Sequence, residues 1–119
     1  MSIKRIIPGI ESRDLPATRA FYHELLGLQI AMEDGDFLLL QSTATPSAQM
    51  IVNDNGHPGL PPGFAIDIDD PDQVIKLYSE LQRRGFAIVE PLSDKPWGIR
   101  RFSVIDPNGV RVTIASHLG

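Results

Sequence analysis

The sequence contains no cysteine, which excludes disulfide bonds, thiolate metal sites and cysteine nucleophiles. It has no apolar run approaching the roughly 20 residues that a membrane-spanning helix needs. Basic residues are sparse, because 11 Lys and Arg stand against 15 Asp and Glu for a net charge of −4. Nucleic acid is therefore not an expected partner. The N-terminal residues 1–5 lack the apolar core of a signal peptide, so we expect a cytoplasmic protein that does not enter a membrane.

What is present is an ordinary globular composition, with 42% hydrophobic and 22% charged residues in a chain of 119. A chain of this length is typical of one domain and buries enough surface for a real core. We therefore interpret residues 1–119 as a single domain.

The two predicted helices indicate an internal duplication. Each begins with an aspartate cap followed by a proline in the first turn and ends at a glycine. In the first helix, residues recur at the spacing of a regular α-helix: Ala17, Ala20, Phe21 and Leu25. The two helices share four residues at one spacing of 56, in the pairs Asp14 and Asp70, Tyr22 and Tyr78, Glu24 and Glu80, and Leu25 and Leu81. Four matches at one offset favour two copies of one unit.

Short strands surround both helices and complete the repeat. They are predicted over residues 3–10, 28–32, 37–42 and 49–53, and again over 64–68, 86–89, 102–105 and 110–115. The modules are therefore residues 1–53 and 64–119, joined by a linker rich in proline and glycine over 54–63. This predicts an α+β fold of two tandem βαβββ modules. We expect their mixed sheets to curl around a shared trough, formed by the faces that the helices leave uncovered.

Two motifs carry a resemblance to a known family. The opening segment reads SRDL at residues 12–15 and AFYHELLGL at 20–28, and the closing segment reads PWG at 96–98, RF at 101–102 and DPNG at 106–109. Together they resemble the vicinal oxygen chelate superfamily, which includes glyoxalase I, extradiol dioxygenases, and fosfomycin- and bleomycin-resistance proteins. The resemblance covers nearly the whole chain, and it implies the glyoxalase/bleomycin-resistance fold.

The resemblance also implies positions for a catalytic divalent metal, whose ligands in the superfamily are His, Glu or Gln on the first and last strands of each half. Those positions correspond here to Ile7, Gly63 and Thr113, none of which coordinates a metal well. A fourth lies near Gln49, which remains open as a residual ligand. His23, His57 and His117 are not spaced as a site, and we interpret each as exposed. We therefore expect no metal and no cofactor.

Ligand-binding candidates are taken from positions expected to face the trough or its rim. Trp97 is the only tryptophan and lies between proline and glycine, where it stacks on a planar ligand or fills the core or a dimer seam. Arg101 binds a ligand carboxylate or phosphate, or pairs, like Arg100, with Asp94 or Asp106.

Carboxylates and apolar residues complete the candidates. Glu11 and Asp67 share strand parity with the first-strand metal positions, so they attract a cationic ligand, act as bases, or are simply solvated. Met50 and Phe37 line the trough or belong to the core.

These observations favour a metal-independent binding protein of the bleomycin-resistance type, sequestering a planar or cationic ligand of unknown identity. The alternative is a glyoxalase- or dioxygenase-type enzyme, a lyase or oxidoreductase with non-standard ligands. A third is a structural module whose trough is filled. The resemblance also implies a homodimer, consistent with open sheet edges that invite pairing.

Overall fold

The computed structural model describes residues 1–35, 37–53 and 63–119. The predicted linker lies outside the described residues except for Gly63. Contacts divide the chain into a first unit, Ile7–Pro62, and a second unit, Met1–Ile6 with Gly63–Gly119. The boundary falls within the first strand, because the N-terminus is tied to the second unit: Ser2 N–H donates to Asp69 Oδ1 over 2.9 Å, and Asp69 N–H donates to Ser2 O.

The first unit has one helix and a mixed sheet. Its strands are ordered β2-β3-β4-β1, with β1 and β4 parallel and the other neighbours antiparallel. The elements are β1 (Ile3–Glu11, of which residues 7–11 belong here), α1 (Leu15–Arg19) continuing as a π-helical segment (Ala20–Leu25), β2 (Gln29–Asp34), β3 (Phe37–Gln41) and β4 (Gln49–Asn53).

The second unit repeats this plan. Its strands are ordered β5-β8-β7-β6, so that its first strand again pairs in parallel with its last. The elements are β5 (Gly63–Ile68), α2 (Pro71–Arg83), β6 (Ile88–Lys95), β7 (Ile99–Ile105) and β8 (Arg111–His117). The α+β fold of two tandem βαβββ modules is confirmed.

The helix boundaries follow the predicted signals. Asp14 accepts a hydrogen bond from Ala17 N–H at 3.0 Å, and Asp70 accepts one from Asp72 N–H at 2.9 Å. Gly27 and Gly85 follow the two helices with φ of 82° and 84°, a backbone conformation that residues with a Cβ rarely adopt. Within the described ranges, no helix is long and apolar enough to cross a bilayer.

The first helix is not the regular α-helix that its spacing predicts. Only five residues are α-helical before the wider π-helical segment begins. Because π-helical hydrogen bonds reach one residue further, the 3.6-residue register is lost. Phe21 and Leu25 are consequently exposed, whereas Leu15 and Tyr22 pack on the first core.

Strand β6 begins later and runs further than predicted. It starts at Ile88 rather than Phe86, and it continues past Pro91 to Lys95. Two register irregularities, between Ile88 and Glu90 and between Glu90 and Ser93, accommodate the proline in this outer strand of the unit. The longer hairpin leads directly into the turn that carries Trp97.

Each unit has its own core beneath its helix. In the first, Leu38, Leu40 and Val52 are buried. In the second, α2 packs on the sheet, and the fully buried Phe102 meets Tyr78 edge-on at 5.2 Å between ring centroids. The second core consists of Ile68, Val74, Phe102, Val104, Val112 and Ile114. Tyr22 and Tyr78 thus both pack against their own cores, in line with a shared structural role on the two helices.

Candidate functional site

The sheet of the second unit presents one apolar and one polar face. Side chains alternate along a strand, so the neighbours of core residues point away from the helix. On β7 and β8 four of these six neighbours are polar, the exceptions being Ile105 and Ala115, and β5 and β6 add further polar residues. The opposite face of the second unit, as we call it, carries Asp67, Glu90, Ser93, Arg101, Ser103, Arg111 and Thr113.

Trp97, Arg101 and Glu90 form a stacked cluster at one end of this face. Trp97 occupies the β6–β7 turn and is 58% exposed. The Arg101 guanidinium carbon lies 5.6 Å from the centre of the indole ring, within cation–π range. Glu90 holds that guanidinium by accepting from Nε at 2.9 Å and from Nη2 at 3.3 Å. The arginine plane is therefore fixed against the indole, and much of the indole remains exposed.

The adjacent arginines have different partners. Arg100 donates to both oxygens of Asp94, at 2.7 and 3.1 Å, and weakly to the Pro71 carbonyl at the start of α2. Hydrogen bonding by Arg100 lowers the pKa of the Asp94 carboxyl below its usual value. The expected surface pair with Asp94 is thus made by Arg100, whereas Arg101 pairs with Glu90.

Asp67 is buried and already has a cationic partner. It is 6% exposed, and its Oδ2 accepts from Arg5 Nε at 2.8 Å. Because Arg5 compensates its charge within the second unit, the geometry does not favour Asp67 as a receptor for a ligand cation.

A second polar cluster lies further along the opposite face. The hydroxyls of Ser103 and Thr113 are 2.8 Å apart, and Arg111 Nη2 donates to Ser103 Oγ at 3.3 Å. Ser103 is fully buried. Arg111 Nε and the Ser93 hydroxyl are buried without a hydrogen-bond partner among the described residues.

The three ligand-binding candidates of the first unit, Glu11, Phe37 and Met50, do not lie on the same side of its sheet. The register aligns Phe37 with Asn53 on β4, and Asn53 with Glu11 on β1, so Phe37 and Glu11 share one side of the sheet. Glu11 is exposed and borders a shallow depression at the start of α1. Met50 packs against the first core on the other side, with Leu40 as its register partner. The structure therefore groups Met50 with the core.

The positions implied for metal ligands do not fit a divalent metal. Ile7 is apolar and 6% exposed. Gly63 has no side chain, and a Cβ there would collide with the Arg111 carbonyl oxygen. The Thr113 hydroxyl is engaged by Ser103. Among the described residues, no three His, Asp or Glu side chains come together as a metal site.

The histidines and Gln49 do not rescue such a site. His23 is half-buried rather than exposed, and its Nδ1 lies 2.6 Å from the Leu28 carbonyl oxygen. His117 is exposed at the end of β8, and His57 lies outside the described residues. Gln49 donates through Nε2 to Gln41 at 3.2 Å.

Sequence reasoning missed four residues of the opposite face, which are Glu90, Ser93, Ser103 and Arg111. It also missed Arg5, the ion-pair partner of Asp67. Strand parity contains the signal for Ser103 and Arg111, because they alternate with the core residues Phe102, Val104 and Val112. Glu90 was missed because the predicted strand ended at residue 89, one residue before it.

Comparisons with known proteins agree with this architecture. The superfamily model "Glyoxalase/Bleomycin resistance protein/Dioxygenase superfamily" matches residues 9–114. A search of curated proteins found no significant match.

Three similar solved structures share 18%, 19% and 21% sequence identity with the chain, so they show the fold alone. A superfamily member from Vibrio splendidus 12B01 is 19% identical, with a TM-score of 0.74 over 94% of this chain and 97% of that one. The Mn(II)-bound glyoxalase from Novosphingobium aromaticivorans is 18% identical, with a TM-score of 0.73 over 98% of this chain and 40% of that one. Homoprotocatechuate 2,3-dioxygenase (E323L mutant) from Brevibacterium fuscum is 21% identical, with a TM-score of 0.73 over 99% of this chain and 33% of that one.

The superfamily model spans most of the chain, and the TM-scores show that these structures share its fold. The chain therefore belongs to the glyoxalase/bleomycin resistance protein/dioxygenase superfamily.

Proposed function

We propose that this protein binds a small planar molecule without a metal ion and sequesters it unchanged, in the manner of the bleomycin-resistance branch of its superfamily. The observation that carries the proposal is the exposed Trp97 indole with Arg101 fixed against it by Glu90. A rigid aromatic surface of this kind binds planar ligands by stacking.

The cluster is prepared for stacking before any ligand arrives. Glu90 neutralises the charge of Arg101 and restrains its rotation, so a ligand does not have to order that side chain on binding. The indole face and the guanidinium plane together offer a flat, polarisable platform. Since the local charges are balanced, this platform favours a planar ring system over a small ion.

The chemistry of the implied metal positions supports binding rather than metal-dependent catalysis. An isoleucine, a glycine and a hydrogen-bonded threonine offer no ligand set for a Lewis-acid metal. The Mn(II)-bound glyoxalase is thus similar in fold, but the residues here do not support carrying its metal over.

Metal analysis tests the metal-independent part of the proposal. We expect purified protein to contain no stoichiometric metal and to show no shift in melting temperature with Ni²⁺, Zn²⁺, Mn²⁺ or Fe²⁺, because the ligand positions cannot coordinate them. About one metal per chain or per dimer would instead favour the glyoxalase- or dioxygenase-type alternative.

Replacing Trp97 by alanine tests the stacking platform. The neutral planar probe 2-naphthamide is expected to shift the single indole N–H resonance of the wild type in a ¹⁵N-correlated NMR titration. Trp97→Ala should weaken binding about tenfold in calorimetry, because the stacked surface is lost.

Phe21→Ala provides a matched control, since Phe21 is an exposed aromatic of the first unit. Its affinity for 2-naphthamide should equal that of the wild type. Equal weakening by both variants, or an indole resonance that does not respond, would contradict Trp97 as the platform.

A further inference from the structure

Arg111 stands apart from the other arginines of the second unit. Each of the others has a carboxylate within ion-pair distance: Arg5, Arg83, Arg84, Arg100 and Arg101. Among residues 1–35, 37–53 and 63–119, Arg111 has no such carboxylate, and the only hydrogen bond of its side chain is the one it donates to Ser103. A half-buried cation without an anion is an unusual feature.

The surroundings of Arg111 supply further donors. Its Nε–H is buried and unpaired among the described residues, and a buried donor without a partner is destabilising relative to a satisfied one. The Ser103 and Thr113 hydroxyls share one hydrogen bond, which leaves a second proton for an acceptor. The cluster is therefore rich in donors, and no carboxylate side chain from the described residues lies within ion-pair distance of Arg111.

We propose that Arg111 and the Ser103–Thr113 hydroxyl pair bind an oxyanion, a carboxylate or phosphate group. The guanidinium supplies the charge and the hydroxyls supply additional hydrogen bonds, a combination suited to such groups. The anion would satisfy the orphaned Nε–H and compensate the charge of Arg111. Thr113 occupies one of the implied metal positions. The Arg111 guanidinium and the two hydroxyls would therefore bind ligand oxygens at the position where a metal ion binds them in metal-dependent members of the superfamily.

The position of this cluster also narrows the class of ligand. Arg101 and Ser103 point to the same face of β7 two residues apart, a separation of roughly 7 Å along the strand. If the proposed stacking on Trp97 holds, the ligand is a planar aromatic molecule that bears a carboxylate or phosphate. One ring of the ligand would stack on Trp97, and the anionic group would extend from its far side towards Ser103 and Arg111. This statement of ligand class rests on the proposed function, whereas the oxyanion site itself does not.

The oxyanion site is tested first without any planar ligand. Inorganic phosphate, titrated against chloride at constant ionic strength, should shift the Arg111 Nε–H resonance of the wild type, which its disappearance in Arg111→Met identifies. The melting temperature of the wild type should rise with phosphate, and that of Arg111→Met should not. Arg13→Met removes the same charge at an exposed position and should keep the wild-type response.

The ligand class is tested by comparing 2-naphthoate with the neutral 2-naphthamide in calorimetry. The wild type should prefer the carboxylate about tenfold, and Arg111→Met should abolish that preference while binding 2-naphthamide normally. Arg111→Lys, which keeps the charge without the planar fork, should retain part of the preference.

The outcomes separate the two proposals. An Arg111 resonance that ignores phosphate, or a preference that survives in Arg111→Met, overturns the oxyanion site even if Trp97 responds to 2-naphthamide. A phosphate response at Arg111 with an unresponsive Trp97 leaves the oxyanion site standing and contradicts the stacking platform. Arg111→Met loses one long hydrogen bond to Ser103 but no ion pair, so the variant should fold, and loss of the phosphate response then reflects lost binding.

Discussion

Replacing Phe102 by alanine is expected to lower the free energy of unfolding by about 3–5 kcal/mol. The ring is fully buried in the second core and lies edge-on to Tyr78, so its removal leaves a cavity between α2 and β7. Such a loss is a large part of the 5–15 kcal/mol that stabilises a typical domain. Urea unfolding followed by circular dichroism measures it.

The same substitution elsewhere provides the control. Phe21 is 51% exposed, and Phe21→Ala should cost far less, about 1 kcal/mol or below, because little buried surface is lost. Should Phe102→Ala not fold, Phe102→Leu keeps most of the volume and should cost less than the alanine variant. Equal losses for Phe102→Ala and Phe21→Ala would contradict the assignment of the core.

Phe102 also matters for the candidate site, since β7 alternates core and site residues. Arg101 and Ser103 point away from the helix because Phe102 points towards it. A less well packed core would make β7 less rigid, and the positions of the clusters around Arg101 and Ser103 would then vary more. We therefore expect Phe102→Leu to weaken 2-naphthamide binding somewhat, although residue 102 lies on the other face of the sheet.

Much of the fold could be predicted because local signals agreed with one another. Aspartate caps, prolines in the first turn and terminal glycines placed both helices, and alternating patterns placed most strands. The 56-residue spacing held through the helices, where Tyr22 and Tyr78 each pack on their own core. These signals are local in sequence, so they required no knowledge of tertiary contacts.

The errors occurred where local patterns were ambiguous. The residues of the π-helical segment are also common in α-helices, so nothing in them indicates the wider helix. The apolar spacing therefore does not indicate that Phe21 and Leu25 are exposed. Strand β6 contains Pro91, which signals an ending, although a bulged outer strand tolerates it. The candidate site inherited the second error, because Glu90 was not placed beside Arg101.

Ion-pair partners could not be predicted from sequence, since they depend on strand neighbours far apart in the chain. Arg5 and Asp67 are 62 residues apart, and nothing local to either residue indicates the other. Asp67 was a candidate for binding a ligand cation on parity alone. Strand parity correctly placed Asp67 on the face of the sheet that points away from the helix. The ion pair with Arg5, however, makes the charge of Asp67 unsuited to binding a ligand cation.

Replacing Arg5 by methionine is expected to destabilise the protein by about 2–3 kcal/mol. Asp67 is 6% exposed, so removing the partner leaves a buried carboxylate whose charge is uncompensated. The cost lies below that of a completely buried pair because the Arg5 side chain is one-quarter exposed. Chemical denaturation at neutral pH measures the change. Arg83→Met, which breaks an exposed pair with Glu80, should alter stability little and serves as the control.

The double variant Arg5→Met with Asp67→Leu distinguishes a structural role of Asp67 from a ligand-binding one. Removing both charges eliminates the buried carboxylate, so the double variant should recover most of the stability lost in Arg5→Met. Its 2-naphthamide titration at Trp97 should match that of the wild type, because the platform depends on Glu90 and Arg101. Recovered stability together with lost binding would return Asp67 to the ligand site. Failure to recover stability would mean that Arg5 contributes through contacts other than the ion pair.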